Sequence, residues 1–295
     1  MYNGEDTSTL CNQLIDKIKN IKMTNKTIEL INQFNPEPID IPINKCELDE
    51  AIDSIYISMF PICKCNNSSE ENDELMDAAK KLHRNIMNLT SENDADKIME
   101  SFIEKLPAIR QQLYEDAHCY LESDPAAKSL EEIIITYPGF FALSVHRIAH
   151  ELHNLGVPLI SRHFSEHAHS KVGIDIHPAA RIGKNLFMDH GTGIVIGETT
   201  DIGDNVKIYQ GVTLGALYVE KKLTNTKRHP TVENNVVIYA NATILGGETV
   251  IGHDSIIGGG SWLTQSVIPY SLAYNSVDIK IRTIKDFDEP HNFVI

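Results

Sequence analysis

An arginine followed directly by a histidine, Arg228 and His229, stands immediately before Pro230 in a chain of 295 residues. A guanidinium fork grips a carboxylate through two parallel hydrogen bonds, and an imidazole beside it can donate or accept a proton near neutral pH. A second polar cluster, Met188-Asp189-His190-Gly191-Thr192-Gly193, follows Asp175 and His177 in the segment GIDIHPAARIG. By spacing alone, Asp189 and His190 read equally well as polar corner residues bonded to a neighbouring coil and as an acid-base pair; in strand-like positions they would face opposite sides or a corner. His146, His150 and His153 follow one another along a single predicted helix, but no carboxylate stands at matching spacing, so they read as core-flanking or solvated histidines. Cys63 and Cys65 form a CxC pair without a second Cys/His pair at zinc-finger spacing, and the five cysteines, with Cys11, Cys46 and Cys119, read as free thiols.

The elements that must hold these groups change character near residue 172. Before it the periodicity is helical. Phe141, Val145, Ile148, Leu152 and Leu155 form one stripe, bounded by Pro138-Gly139 and by Gly156 and Pro158. After it, aliphatic residues recur every six positions, many followed by glycine: Ile182, Met188, Ile196, Ile202, Ile208 and Leu214, then Val232, Ile238, Leu245, Ile251, Ile257 and Leu263. A two-residue slip falls between Met188 and Ile196, and a one-residue slip falls at Leu245. Neither a helix nor a flat alternating strand produces that period, whereas a coil of three short strands does. Three hexads make a coil of about 18 residues, so the repeat predicts about five coils, on the order of 24 Å of prism.

The rhythm fails across ALYVEKKLTNTKRHPT, which must leave the prism as a loop, and loops on rigid scaffolds often carry function. Lys221, Lys222, Lys227 and Arg228 make it a basic island in a chain of formal net charge −15. That charge argues against nucleic acid and anionic membrane as general partners. No apolar run reaches membrane-spanning length, and no secretory signal pattern is evident, which predicts a cytoplasmic protein.

Taken in order, the DPA of Asp124 to Ala126, YPGF and HRIAH between Tyr137 and His150, GIDIHPAARIG, MDHGTGIVIGET, YQGVTLGA, KRHPT and ILGGETVIG resemble the serine acetyltransferase family of hexapeptide-repeat acyltransferases. The resemblance covers roughly residues 106–270. It implies an α + β chain: a helical N-terminal domain (1–171), a left-handed parallel β-helix (172–270) with an excursion loop at 216–231, and a tail (271–295). It also implies a homotrimer or hexamer with active sites between subunits, where acetyl-CoA acetylates the hydroxyl of L-serine in cysteine biosynthesis without a metal.

By the same resemblance, His190 matches the general base, Asp175 its orienting carboxylate and His229 a second active-site imidazole. Asp124 and Asp189 match the ligands of the serine ammonium, and Arg228 matches the carboxylate clamp. Asp124, followed by Pro125, also reads as a helix N-cap. Gly215, Ala240 and Gly259 match positions along the acetyl-CoA groove, while Lys280, Arg282 and Lys285 offer charge for the nucleotide phosphates. The family further implies feedback inhibition by L-cysteine and docking of a C-terminal isoleucine, here Ile295, into O-acetylserine sulfhydrylase. Three alternatives stand beside this reading: a different acceptor, a zinc enzyme of γ-carbonic-anhydrase type using His177, His190 and His229, and a non-catalytic trimeric scaffold.

Overall fold

The computed structural model describes residues 41–60, 70–218 and 226–276. Cys11, Cys63, Cys65, Lys221, Lys222, Lys280, Arg282, Lys285 and Ile295 lie outside the described residues. Cys46 and Cys119 are free thiols.

Among the described residues six helices precede the repeat: α1 (Lys45–Met59), α2 (Glu70–Met87), α3 (Glu92–Ser123), α4 (Leu130–Thr136), α5 (Pro138–Asn154) and α6 (Pro158–Val172). Their ends follow local chemistry. The side chains of Asn44, Ser91 and Ser129 accept bonds from N–H groups in the first turns of α1, α3 and α4. Proline occupies the first turn of α5 and α6, and Gly173 ends α6 at φ 67°. The stripe predicted on α5 is its buried face, with Val145, Ile148 and Leu152 fully covered. No described helix is long and apolar enough to cross a membrane.

Beyond Gly173 the chain winds through three stacked parallel sheets. The first face carries β1 (Asp175–Ile176), β4 (Val195–Ile196), β7 (Thr213–Gly215), β10 (Thr243–Leu245) and β13 (Trp262–Leu263). The second carries β2 (Arg181–Ile182), β5 (Asp201–Ile202), β8 (Thr231–Val232) and β11 (Val250–Ile251). The third carries β3 (Phe187–Asp189), β6 (Lys207–Tyr209), β9 (Val237–Ile238), β12 (Ile256–Ile257) and β14 (Leu272–Ala273). The result is a left-handed parallel β-helix of about five turns. The aliphatic residue of each hexad points inward, as Ile196, Ile208, Val232, Ile238 and Ile257 do.

One detail differs from the hexad count. Ile244, not Leu245, fills the core, and it keeps the six-residue step from Ile238. The extra residue is absorbed afterwards, at the Gly246-Gly247 turn, because a corner accommodates an insertion without moving a side chain to the wrong face.

The corner between the second and third faces is built from Asn185, Asn205, Asn235 and Asp254, all at φ of 56–59°. Asparagine tolerates this left-handed conformation better than most residues. Each amide donates to the side chain of the next coil, Asn185 to Asn205 at 2.9 Å, Asn205 to Asn235 at 3.2 Å and Asn235 to Asp254 at 3.1 Å.

Helices α3 and α5 brace the first coil. Arg147 on α5 and Asp116 on α3 form a buried ion pair with N–O distances of 2.6 and 2.9 Å. Arg147 also donates to the carbonyls of Ile182 and Gly183, while Asp116 accepts from the N–H of Asn185. The Tyr120 hydroxyl accepts from the Met188 N–H at 3.1 Å. Gly139 lies so close to the Met188 carbonyl that a Cβ there would stand 2.3 Å from its oxygen. These contacts fix β3, and with it the residues that follow.

Candidate active site

The two-residue slip after Met188 enlarges the first corner between the third and first faces. Asp189 ends β3, and His190 begins the turn at φ 56°, so of the two placements its spacing allows, opposite strand faces or a corner, His190 takes the corner. The Asp189 carboxylate accepts from the His190 N–H at 2.8 Å, and the same oxygen lies 3.7 Å from His190 Nδ1. The imidazole is 71% exposed, open to a reactant, whereas Asp189 is mostly covered.

Asp124 belongs to this corner. It does not cap the following helix, because Ser129 does; it ends α3 instead. One carboxylate oxygen accepts from the Ala126 N–H at 2.8 Å and the other from the Tyr137 hydroxyl at 2.6 Å. Those two bonds, with a smaller pull from His190, hold its carboxyl below the usual range. Burial, then Asp124 and more weakly Asp189, raises the Tyr137 hydroxyl far up. The chain therefore gathers two carboxylates, a phenol and an exposed imidazole at one edge.

Arg228 and His229 sit elsewhere, against the corner that joins the first and second faces. The turn after β4, Gly197-Glu198-Thr199, is their cradle. A Cβ at Gly197 would lie 2.0 Å from His229 Cδ2, so only glycine admits the imidazole. Glu198 accepts from the Arg228 guanidinium. The Thr199 hydroxyl oxygen accepts from the N–H groups of Arg228 and His229 at 2.9 and 3.0 Å. The Thr199 N–H donates to His229 Nδ1 at 3.1 Å, which leaves the ring proton on Nε2.

Burial and the adjacent Arg228 charge push His229 down to about 4. It is a neutral hydrogen-bond donor at pH 7, not the group titrating near neutrality that its sequence position suggested. His177, one coil below at the same corner, is pushed to about 4 by burial and then by Arg162, with Glu198 opposing. Lys227 is not a free cation for phosphate, since its ammonium bonds the Asp201 carboxylate at 2.6 Å and the Thr199 carbonyl at 2.7 Å.

The strand registers place the remaining positions. Extending the third-face pairing by two residues aligns Ala240 with Gly259, above the corner that His190 occupies; a Cβ at Gly259 would stand 3.1 Å from the Ala240 carbonyl oxygen. Gly215 instead shares the other corner, since the Gly197 N–H bonds the Leu214 carbonyl beside it. The expected residues thus divide between two corners of one chain: Asp124, Asp189, His190, Ala240 and Gly259 at one, and Arg228, His229 and Gly215 at the other.

Asp175 lies in β1, and no hydrogen bond joins it to His190 among the described residues; Glu166, His169 and Asp175 bring one polar atom each within 4.8 Å of one another. Within one chain His190 stands at a different corner from His177 and His229, so the three do not form a ligand set there. Gly197, Glu198, Thr199 and Tyr137 went unread in the sequence. Glycine after an aliphatic hexad residue looks like coil geometry, and an adjoining polar pair looks like any solvated turn.

No protein-family model matches the chain. Over 178 residues, 59% of its length, it is 50% identical to a serine acetyltransferase from Synechococcus elongatus, and the match spans 56% of that relative. The crystal structure of serine acetyltransferase isoform 3 from Entamoeba histolytica, in complex with cysteine, superposes with a TM-score of 0.71 at 33% identity, covering 84% of this chain and 86% of that one. A serine acetyltransferase from Neisseria gonorrhoeae in complex with serine gives 0.54 at 26% identity, covering 80% and 95%. A serine acetyltransferase in complex with CoA gives 0.55 at 28% identity, covering 76% and 96%.

Proposed function

The chain belongs to the serine acetyltransferase family, and on that premise we propose that it transfers the acetyl group of acetyl-CoA to the hydroxyl of L-serine, giving O-acetyl-L-serine and CoA. The neighbours bound to serine and to CoA support both substrates, and the neighbour bound to cysteine supports L-cysteine as feedback inhibitor. The observation that carries the reading is the division of charge: carboxylates and an exposed imidazole at one corner, a guanidinium and a neutral imidazole at another. A zwitterionic amino acid needs both sets.

A serine hydroxyl is a weak nucleophile at neutral pH, so a base must take its proton as it attacks the thioester carbon. His190 is that base. Asp175 orients it and stabilises the imidazolium once the ring turns toward β1; hydrogen bonds of this kind are commonly loose before substrate binds. Asp124 and Asp189 hold the serine ammonium, with Asp124 kept ionised by its bonds from Tyr137 and Ala126. Arg228 grips the carboxylate, and neutral His229 donates from Nε2. As the tetrahedral intermediate collapses, the C–S bond breaks and the imidazolium returns its proton to the departing thiolate.

The two corners complete each other when one chain packs against the next, in a homotrimer or a dimer of trimers. The site is cytoplasmic, and a sulfhydrylase partner is proposed to engage Ile295. The primary test is CoA release that depends on L-serine and survives EDTA; folded protein without it would overturn the reading. Subunit sharing has its own test. His190→Ala and Arg228→Ala chains, each inactive alone, regain about a quarter of wild-type sites when co-assembled at equal amounts, because each intact interface needs one of each. No recovery would place both halves in one subunit.

A further inference from the structure

The third face carries a lane of aromatic residues that begins beside the catalytic corner. Asp189 pairs in register with Tyr209, and one-residue extension of the next pairings continues the column through Tyr239, Gly258 and Tyr274. The rings of Tyr209 and Tyr239 stack with centroids 5.1 Å apart and planes at 15°. Tyr239 is 44% exposed and Tyr274 68%. Tyr274 covers Gly258, where a Cβ would stand 2.8 Å from that of Tyr274, and the next residue, Asn275, anchors the segment by donating to the Gly260 carbonyl at 2.7 Å.

This lane lies on the substrate side of the corner. After burial and Tyr239, the carboxylates of Asp189 and Asp124 are the charges that raise the Tyr209 hydroxyl, so Tyr209 looks onto the serine-binding edge. Ala240 and Gly259 run parallel to it one position further along the coil. Four strand steps separate Asp189 from Tyr274, roughly 19 Å at the usual spacing between strands. A pantetheine arm, with its two amide units, reaches on the order of 15 Å when extended. A donor whose thioester sits at His190 therefore lays its arm past Tyr209 and Tyr239, and the diphosphate and ribose that follow the arm span the remaining few ångströms and carry its purine to the level of Tyr274.

We propose that Tyr274 is the platform on which the adenine of acetyl-CoA stacks, with the Tyr209–Tyr239 pair as the wall of the pantetheine channel. This rests on the acetyltransferase reading and assigns the donor-specific end of the site. Aromatic rings stack on any purine face, and such a contact is worth about 1–3 kcal/mol, roughly 5- to 150-fold in affinity.

The test compares two donors, acetyl-CoA and S-acetylpantetheine, which lacks the nucleotide. Tyr274→Ala raises KM for acetyl-CoA about tenfold and leaves KM for S-acetylpantetheine and for L-serine unchanged, while Tyr274→Trp retains the wild-type value. Tyr239→Gly, midway along the lane, raises KM for both donors alike. An unchanged KM for acetyl-CoA in Tyr274→Ala overturns the proposal, as does an equal loss on both donors, which would mark Tyr274 as a prop for the end of the prism. If wild-type protein releases no CoA with L-serine, the acetyltransferase reading fails separately. Calorimetric titration with CoA itself then decides the platform: weaker binding to Tyr274→Ala upholds it and equal binding overturns it.

Discussion

The two corners proposed to share the active site are held in opposite ways. The His190 corner is enlarged by two residues, carries an exposed ring at φ 56°, and takes its rigidity from helices outside the prism through Arg147, Asp116, Tyr120 and Gly139. The Arg228–His229 corner is covered and is secured by the prism itself, through Gly197, Glu198 and Thr199. A base must stay accessible to take and return a proton, whereas a recognition group gains from being buried and fixed. The support given to each group follows from its task.

Removing the proposed base separates the corners most sharply. His190→Ala lowers kcat by about 10²–10⁴ and leaves the melting temperature unchanged, since an exposed ring contributes little packing; a parallel loss of stability would make the ring structural. Breaking the brace does the converse. Asp116→Ala strands Arg147 as an unpaired buried charge and costs about 3–5 kcal/mol of stability, measured by denaturant unfolding. If the two corners are independently supported, folded Asp116→Ala protein loses kcat while retaining its KM for L-serine; a rise in that KM would show the brace reaching both corners.

Gly197→Ala attacks the other side. The added methyl collides with His229, so KM for L-serine rises about tenfold, with a stability loss of about 1–3 kcal/mol from overpacking; an unchanged KM would mean that His229 moves aside without consequence. The smallest effect is the response to acid. His177 and His229 are pushed down to about 4, below the usual histidine value of 6.5. The unfolded chain therefore binds protons first, and the stability these rings contribute is full above about pH 6.5 and lost as pH falls through about 4. In His229→Asn that acid-side decline is shallower.

The prism was legible because its period is a direct image of its geometry: a residue every six positions must face the core, and Ile196, Ile208 and Val232 do. The helix of residues 138–154 was legible from its stripe and its punctuation. Local chemistry misled at Asp124, where a following proline suggested a cap that Ser129 supplies. At His190 it left the choice open, since a count of spacing cannot tell a corner in the left-handed region from the end of a strand. What stayed hidden was long-range. Thr199 and His229 are brought together only by the coil that separates them, and the split of the site between two corners needs the strand register, which depends on where each slip is absorbed.

Stacked coils have a mechanical consequence. In a solenoid each layer contacts only the layers next to it, so stability is nearly one-dimensional and opening spreads from whichever end is least supported. Helices α3 and α5 clamp the first coil, which carries the proposed base, while among the described residues the last is closed by the short strand β14 and the turn around Pro269. Amide protons should therefore exchange faster coil by coil toward β14. Warmed or mildly denatured, the enzyme would loosen its grip on the distal end of the donor while its proton-transfer edge was still intact.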